Sequence, residues 1–351
     1  MVSEKRNVAM IFGASGISGW ALMRECLSYP STTTFNRVIG LSKRPMSRKT
    51  ARLGDDPRLE IHTGLDLTDA DLTLQRLEAI PEVDDVTHVY FVAYTGHESD
   101  PENQVKINAA IVDNALVAVK NICPKLEFVS LQTGGKPDMP RTVRGNGLKS
   151  GRPFSPTIQP GFVPQFNAMN VAQSLGLYLS FYRSTHGDGA SCPFPGTQES
   201  WTALHTDSFQ DLVARFHIHN SLHPEETHER SFNIGDGDSV SWEMKWRLVC
   251  RYFGLNGVGP QEQLTNQAFG IDWLIAQKEK WSDWVLANGL ERGSLENINW
   301  DILAATLASP IRIDFDLTAS RDIGFTEILE PGRGYILAFD RLVEAKFLPR
   351  Y

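Results

Sequence analysis

The chain has 351 residues, 41% of them hydrophobic and 22% charged, which fits a large globular domain with an appendage rather than one small core. Its net charge of -8 argues against nucleic acid or an anionic membrane as partner. No apolar run approaches the roughly 20 residues that span a bilayer, and no signal-type apolar core follows Met1 to Asn7, so the chain reads as cytoplasmic.

Asn7 to Phe12 is a short apolar run that stops at glycine, the pattern of a buried parallel strand. A helix is expected near Ser18 to Leu27, a second strand at Arg37 to Ser42, and a third at Leu59 to His62, ending in the turn Gly64-Leu65-Asp66. Asp69 to Ile80 has helical spacing. Thr87 to Tyr94 is a β-prone fourth strand, and Pro101 to Ile122 is a long amphipathic helix. Leu126 to Leu131 makes a fifth strand. Strands alternating with helices predict an α/β fold with a doubly wound parallel sheet. From Pro137 to Pro164 the chain is rich in proline and glycine, with Arg141, Arg144, Lys149 and Arg152 among them. Such a stretch rarely forms regular structure. Beyond it, helices are expected at Asn167 to Ser184, Ser208 to Ser221, Ser241 to Phe253, Gln263 to Leu286 and Gly334 to Lys346. A short strand is expected at Ser231 to Ile234. The division predicted is residues 1–160 as a Rossmann domain and 161–351 as a mainly helical lobe, some of whose segments return to the sheet.

Gly13-Ala14-Ser15-Gly16-Ile17-Ser18-Gly19 follows the first strand directly and opens a helix. In a G-x-x-G-x-x-G turn the first glycine permits the bend and the second admits a diphosphate to the backbone. The third lets helix and strand pack closely. Unpaired N–H groups at the helix start then face the phosphates. Gly13, Ser15, Gly16, Ile17 and Gly19 are therefore expected to hold a dinucleotide. The second strand ends in Ser42-Lys43-Arg44, where a site preferring NAD places an acidic residue for the ribose 2′-hydroxyl. A hydroxyl and two cations suit the 2′-phosphate of NADPH instead. Asp66 and Leu67, after the third strand, are expected near the adenine.

Asp85 to Thr95 and Leu131-Gln132-Thr133-Gly134-Gly135-Lys136 resemble the progesterone 5β-reductase and iridoid synthase-like family of extended short-chain dehydrogenases/reductases. So do Gly161 to Pro164, Asn167 to Asn170, Pro193 to Gly196, Ser200 to Ala203, Asn233 to Asp238 and Trp242 to Trp246. The resemblance covers most of the chain in order. It implies a Rossmann domain with a helical substrate lobe, NADPH as cofactor, and hydride reduction of an enone or enal. Thr95 belongs to the cofactor side of that resemblance. Lys136 matches the family's lysine, which works with a tyrosine further on. A lysine there can hydrogen-bond the nicotinamide ribose and lower the pKa of a nearby phenol.

The family's tyrosine lies on a helix between that lysine and the stretch matching Gly161 to Asn170. Here the interval is the Pro/Gly-rich segment, too short for that helix and free of tyrosine, and no tyrosine in the chain has a lysine four residues on. Tyr94, at the end of the fourth strand, and Tyr178 and Tyr182, one turn apart on a helix, are the candidate substitute proton donors. Three accounts stay open: a reductase with a relocated donor, an NADPH-binding protein doing non-redox work or none, or a mis-spliced reading in which the helix was lost. The composition of Arg141 to Ser155, unlike that of its neighbours, favours the last.

The four cysteines are far apart and form no CxxC pair. His205, His217, His219, His223 and His228 have no metal-ligand spacing, and Asp236-Gly237-Asp238 reads as a turn. The partner expected is a small hydrophobic carbonyl compound, its pocket drawing on Phe162, Phe166, Met169, Tyr178 and Phe181, bound by a monomer or homodimer.

Overall fold

A computed structural model describes residues 6–95, 100–133, 171–261 and 269–351. In chain order the elements are β1 (Val8–Phe12), α1 (Ile17–Cys26), β2 (Arg37–Ser42), α2 (Arg48–Ala51), β3 (Leu59–Thr63), α3 (Ala70–Glu78), β4 (His88–Phe91), α4 (Pro101–Ile122) and β5 (Phe128–Leu131). There follow α5 (Val171–His186), β6 (Ser191–Pro193), α6 (Gln198–Thr202), α7 (Gln210–Leu222), α8 (Pro224–Thr227), α9 (Trp242–Tyr252), β7 (Asn256–Val258), α10 (Ile271–Ile275), α11 (Trp281–Ala287), α12 (Trp300–Ala308), α13 (Thr318–Asp322) and α14 (Arg333–Glu344). Two units emerge. The first is Met1–Thr133 with Val213–Arg230, and the second is Gly134–Leu212 with Ser231–Tyr351. The expected boundary at residue 160 lies outside the described residues.

The first unit is a five-stranded parallel sheet in the order β3-β2-β1-β4-β5, the Rossmann arrangement read from the sequence. All of β1 is buried, as a central strand covered on both faces must be. Met10, Phe12, Val89 and Phe91 turn to one face and form a core with Leu77, Ile111 and Ala115 of α3 and α4. Burial of each large apolar side chain there contributes about 1.5–3 kcal/mol. The alternate residues serve the other face. Tyr90 Oη lies 2.7 Å from Ser221 Oγ, and Ser130 Oγ lies 2.7 Å from His217 Nδ1. Burial pushes His217 down to about 4, so the ring is neutral. The buried carboxylate of Glu25 accepts from Arg24 and Arg215 at 2.9 and 2.8 Å. Residues 213–230 thus belong with the first unit.

Helix starts follow their caps. Asp69 accepts from the Leu72 N–H at 2.9 Å, and Asp100 from the Glu102 N–H at 3.0 Å, with Pro101 in the first turn. The Thr87 hydroxyl accepts the Val8 N–H at 2.8 Å and ties the start of β1 to β4.

Among the described residues the second unit is mainly helical, with one short parallel pair, β6 and β7. Every residue of α5 from Val171 to Tyr182 is buried, the signature of a helix covered all round. The Trp246 indole donates to the Cys192 carbonyl at 3.1 Å and its ring meets Phe194 edge-on. All four cysteines are free and buried. Two expectations need correction. Ser231 to Ile234 is not a strand, because side chains rather than a ladder hold it: Ser208 Oγ donates to the Ile234 carbonyl and Asn233 to the Asp316 carbonyl. The long helix expected to end at Leu286 is broken. Gly270, at φ +90°, begins the short α10, and a 3₁₀ turn at Lys278–Lys280 separates it from α11.

Candidate active site: a diphosphate turn at the sheet's switch point

From β1 the chain goes to β2 and β3 on one side and to β4 and β5 on the other. The crevice outside the carboxyl ends of β1 and β4 is where such sheets bind ligands. The glycine turn lies there, and its geometry requires Gly13 and Gly19. Gly13 sits at φ +94°, and a Cβ on it would be 2.7 Å from the Ala93 nitrogen. A Cβ on Gly19 would be 2.2 Å from the Gly13 oxygen. The Gly13 and Ala14 N–H groups both donate to the Leu41 carbonyl, at 3.0 and 2.9 Å, and the Gly16 N–H donates to the Gly13 carbonyl at 2.9 Å. Helix α1 is capped by Gly16 with no side-chain cap and no acidic residue in its first turn. Its first N–H groups, at Ile17, Ser18 and Gly19, are the orphan donors every helix leaves. With the positive end of the helix dipole they suit an anion. These residues fit a diphosphate.

At the end of β2 the three expected residues part ways. The Ser42 hydroxyl is buried and donates to the Arg44 carbonyl at 2.9 Å. Lys43 Nζ is 2.6 Å from Asp66 Oδ2. That ammonium holds the Asp66 carboxyl below the usual carboxylate range, helped by the Thr68 hydroxyl and N–H. Arg44 is exposed, and among the described residues its guanidinium has no partner. Leu67 is buried, and its carbonyl accepts from Asn114 at 2.9 Å.

The loop after β4 carries Tyr94, 58% exposed, and Thr95. The Thr95 N–H donates to Asn108 Oδ1 at 3.0 Å. Its carbonyl accepts from Asn108 Nδ2 at 2.9 Å and from Gln104 Nε2. With its backbone held by α4, Thr95 has its side chain to offer a ligand. Sequence reasoning missed Gln132, just past β5. Its N–H donates to the Phe91 carbonyl at 3.0 Å and its Nε2 to Ser18 Oγ at 2.9 Å, which joins β5 to the phosphate turn. Its place at a carboxyl strand end was the available signal.

Lys136, Phe162, Phe166 and Met169 lie outside the described residues. Tyr178 is fully buried in the second unit. Its hydroxyl accepts the Gly270 N–H at 3.1 Å, and burial pushes its pKa well above the usual phenol value. Tyr182 donates to the Ser191 carbonyl at 2.8 Å. Phe181 packs against Trp273 and Trp284. Among the described residues no group of histidine, cysteine and carboxylate side chains could hold a metal, and no helix is long and apolar enough to cross a membrane.

A second polar centre, absent from the expectations, lies in the second unit. Lys245 Nζ is fully buried and donates to Asp207 Oδ1 and Oδ2, at 2.8 and 2.7 Å, with His205 Nε2 at 2.7 Å. Asp236 is buried beside them and accepts the Phe209 N–H. Burial, then the neighbouring Asp207 charge, pushes Asp236 up to about 7.

A model of the PRISE-like Rossmann-fold domain matches residues 9–146 and 149–349. The chain belongs to this family. A short chain dehydrogenase of Aspergillus calidoustus, ausT, is 32% identical across 99% of this chain and 96% of its own length. The 3-oxo-Delta(4,5)-steroid 5-beta-reductase of Arabidopsis thaliana is 26% identical across 98% and 93%. The resemblance read from the motifs therefore holds, and this PRISE-like chain stands among the short-chain dehydrogenases/reductases. A solved UDP-glucose 4-epimerase of Bifidobacterium longum shares the fold at TM-score 0.55 and 10% identity, over 96% of this chain and 98% of its own. The family match breaks between residues 146 and 149, inside the Pro/Gly-rich segment. The alignment with the Aspergillus relative runs over 398 positions, more than this chain has residues.

Proposed function

We propose that this PRISE-like protein is an NADPH-dependent reductase of an enone or carbonyl group in a small hydrophobic metabolite. One observation carries the reading. The glycine turn at the switch point stands beside a β2 end whose free charge is a cation, Arg44, while the nearby carboxylate of Asp66 is tied to Lys43. An acidic residue that prefers a 2′-hydroxyl is thus absent at the end of β2, and a 2′-phosphate finds a guanidinium. Relatives named as dehydrogenases and as a steroid 5-beta-reductase support the redox reading and an apolar substrate.

When bound, the dinucleotide supplies a hydride. The chain's own residues bind and orient it: Gly13, Ser15, Gly16, Ile17 and Gly19 at the diphosphate, Arg44 with Lys43 and Ser42 at the adenosine side, Asp66 and Leu67 near the adenine, and Lys136 with Thr95 at the nicotinamide side. Ser42 must turn its hydroxyl from the Arg44 carbonyl to take part. Negative charge grows on the substrate oxygen as the double bond is reduced, and a hydroxyl donor there stabilises it. Tyr94, the exposed phenol at the carboxyl edge of the sheet, serves this role better than Tyr178, which is fully buried.

Arg44→Ala tests the cofactor. A charge-assisted hydrogen bond is worth about 1.5–3 kcal/mol, so the Kd for NADPH should rise about 10- to 100-fold while that for NADH stays within about twofold. Equal losses would overturn the NADPH assignment. A second reading, an NADPH-binding protein without redox turnover, is favoured by the tyrosine-free interval where the family match breaks. Tight NADPH binding with no oxidation across a panel of enones and ketones would select it.

A further inference from the structure

The segment that follows β2 gathers charge against the trend of the chain. From Lys43 to Arg52 there are five cations, Lys43, Arg44, Arg48, Lys49 and Arg52, and no carboxylate, although the whole chain carries a net charge of -8. Ser47 stands inside that run. It is exposed, and the stretch from Pro45 to Ser47 has no regular structure, so it can enter another protein's cleft without dismantling an element. Arg44 lies three residues before Ser47, Lys43 four before it, and Arg48 and Lys49 directly after. Among all serines and threonines of the chain only Ser47 and Ser155 have an arginine three residues ahead, and Ser155 lies outside the described residues. Protein kinases select acceptors partly by charge pattern. An exposed hydroxyl preceded by arginine at this spacing suits one whose cleft favours cations.

The hydroxyl can be modified without loss of its local role. Ser47 Oγ accepts the Thr50 N–H at 3.1 Å, which uses a lone pair and not the proton. A phosphoryl group in place of that proton leaves acceptors for the same N–H. What the new phosphate would meet is also on hand. Lys43 is tied to Asp66 at 2.6 Å and Arg48 donates to the Asp56 carbonyl at 2.9 Å, whereas Arg44 is exposed and, among the described residues, uncommitted. Three residues of chain span at most about 11 Å, a gap that an arginine and a phosphoserine close from its two ends. A phosphoserine carries about -1.5 to -2 charge and three strong acceptor oxygens. The 2′-phosphate of NADPH is a monoester of the same kind. Either one is held by a guanidinium through paired charge-assisted hydrogen bonds, and one guanidinium cannot serve both.

We propose that Ser47 is a phosphorylation site for a protein kinase that selects basic sequences, and that its phosphate draws Arg44 away from the 2′-phosphate of the cofactor. In the transfer the bond between the γ-phosphorus of ATP and its bridging oxygen breaks and a bond from that phosphorus to Ser47 Oγ forms. ADP leaves, and the hydroxyl proton passes to the kinase's base. The modification site stands on the sequence and the exposed loop. Its consequence for binding rests on the NADPH reading above.

Two measurements test it. The full chain is incubated with ATP and a kinase that requires arginine three residues before its acceptor, and phosphopeptides are mapped by mass spectrometry. Ser47 should be modified in wild type and unmodified in Arg44→Ala. No phosphate at Ser47 in wild type, or undiminished phosphate there in Arg44→Ala, overturns the site. For binding, phosphoserine is placed at position 47 during translation, in wild type and in Arg44→Ala, so that kinase preference does not enter, and urea midpoints check folding. Phosphoserine should raise the Kd for NADPH about thirtyfold and that for NADH no more than about threefold. In Arg44→Ala it should add no more than about threefold for NADPH, because both changes remove the same contact. Equal weakening of NADPH and NADH, or a loss in Arg44→Ala as large as in wild type, overturns the competition for Arg44. An unmodified wild-type chain that binds no NADPH brings down the cofactor reading and the competition with it, while the mapped phosphate still decides the site.

Discussion

Gly19→Ala sets two effects of opposite sign against each other. Gly19 lies inside α1, where alanine is the better helix former by about 1 kcal/mol, so propensity alone predicts a stabler protein. Packing predicts the reverse. The new Cβ would sit 2.2 Å from the Gly13 oxygen and 2.7 Å from its carbonyl carbon, and neither atom is the end of a flexible side chain. Restoring an ordinary contact requires α1 and the turn to part by about 1 Å, and overpacking of this kind costs about 1–3 kcal/mol. The carbonyl cannot rotate away, because the Gly16 N–H is bonded to it. The net expectation is a loss of roughly 1–2 kcal/mol in urea unfolding. A 1 Å retreat also takes the first N–H groups of α1 out of hydrogen-bonding range, so NADPH should bind about 100-fold more weakly, two such bonds being worth about 3 kcal/mol. Gly64→Ala is the control. Its φ is +81° but nothing lies within 4 Å, so strain of roughly 1 kcal/mol should lower stability without changing affinity. A Gly19→Ala protein with wild-type urea midpoint and NADPH affinity would refute the close-approach argument.

The remaining expectations concern the buried charges and the phenols. Lys245→Met strands the Asp207 carboxylate in the second unit and should cost about 3–5 kcal/mol, read as a lowered urea midpoint. Asp236, held near 7 by burial and by Asp207, keeps a proton that the unfolded chain releases above about 4, so this carboxyl lowers stability as pH rises from about 4 to about 7. A move from 3.8 to about 7 is worth roughly 4 kcal/mol. The stability difference between wild type and Asp236→Asn should therefore shift steadily against wild type over that window, and a flat difference would contradict it. His205 and His217, both pushed down to about 4, act in the opposite sense between about 4 and 6.5 in both proteins and cancel from the comparison. Tyr94→Phe should cut turnover on the order of 10²-fold while Tyr178→Phe leaves it within a few-fold; the reverse order in steady-state rates would move the donor to α5. Sequencing the messenger RNA across residues 137–160 decides whether that segment is translated as written.

The sheet was legible because buried parallel strands are short apolar runs ended by glycine or a charged turn, and β1 and β2 each have that form. The glycine turn was legible because Gly13 and Gly19 serve backbone geometry, which spacing alone encodes. The pair β6 and β7, three residues each, falls below any periodicity, and Ser231 to Ile234 has a strand's composition but is held to distant segments by side-chain hydrogen bonds. The helix expected to end at Leu286 is, among the described residues, two short pieces, α10 starting after Gly270 and α11 after a 3₁₀ turn. Lys245 with Asp207 and His205 was not legible at all. Three polar residues up to 40 positions apart look solvated until the fold buries them together. At the site, the sequence identified Lys43 and Arg44 as a pair, whereas only the fold brings Asp66 to Lys43 and leaves Arg44 uncommitted.

The Leu41 carbonyl, which receives both the Gly13 and the Ala14 N–H, has its neighbour in Ser42, whose carbonyl receives the Leu65 N–H at 3.1 Å. The loops that follow three successive strands of the sheet are thereby laced to one another through main-chain atoms alone. Side chains at 43 and 44 can change without loosening that lacing. On the proposed reading of the site, discrimination between the two nicotinamide dinucleotides is free to drift in evolution, or to be re-engineered, while the grip on what they share is retained.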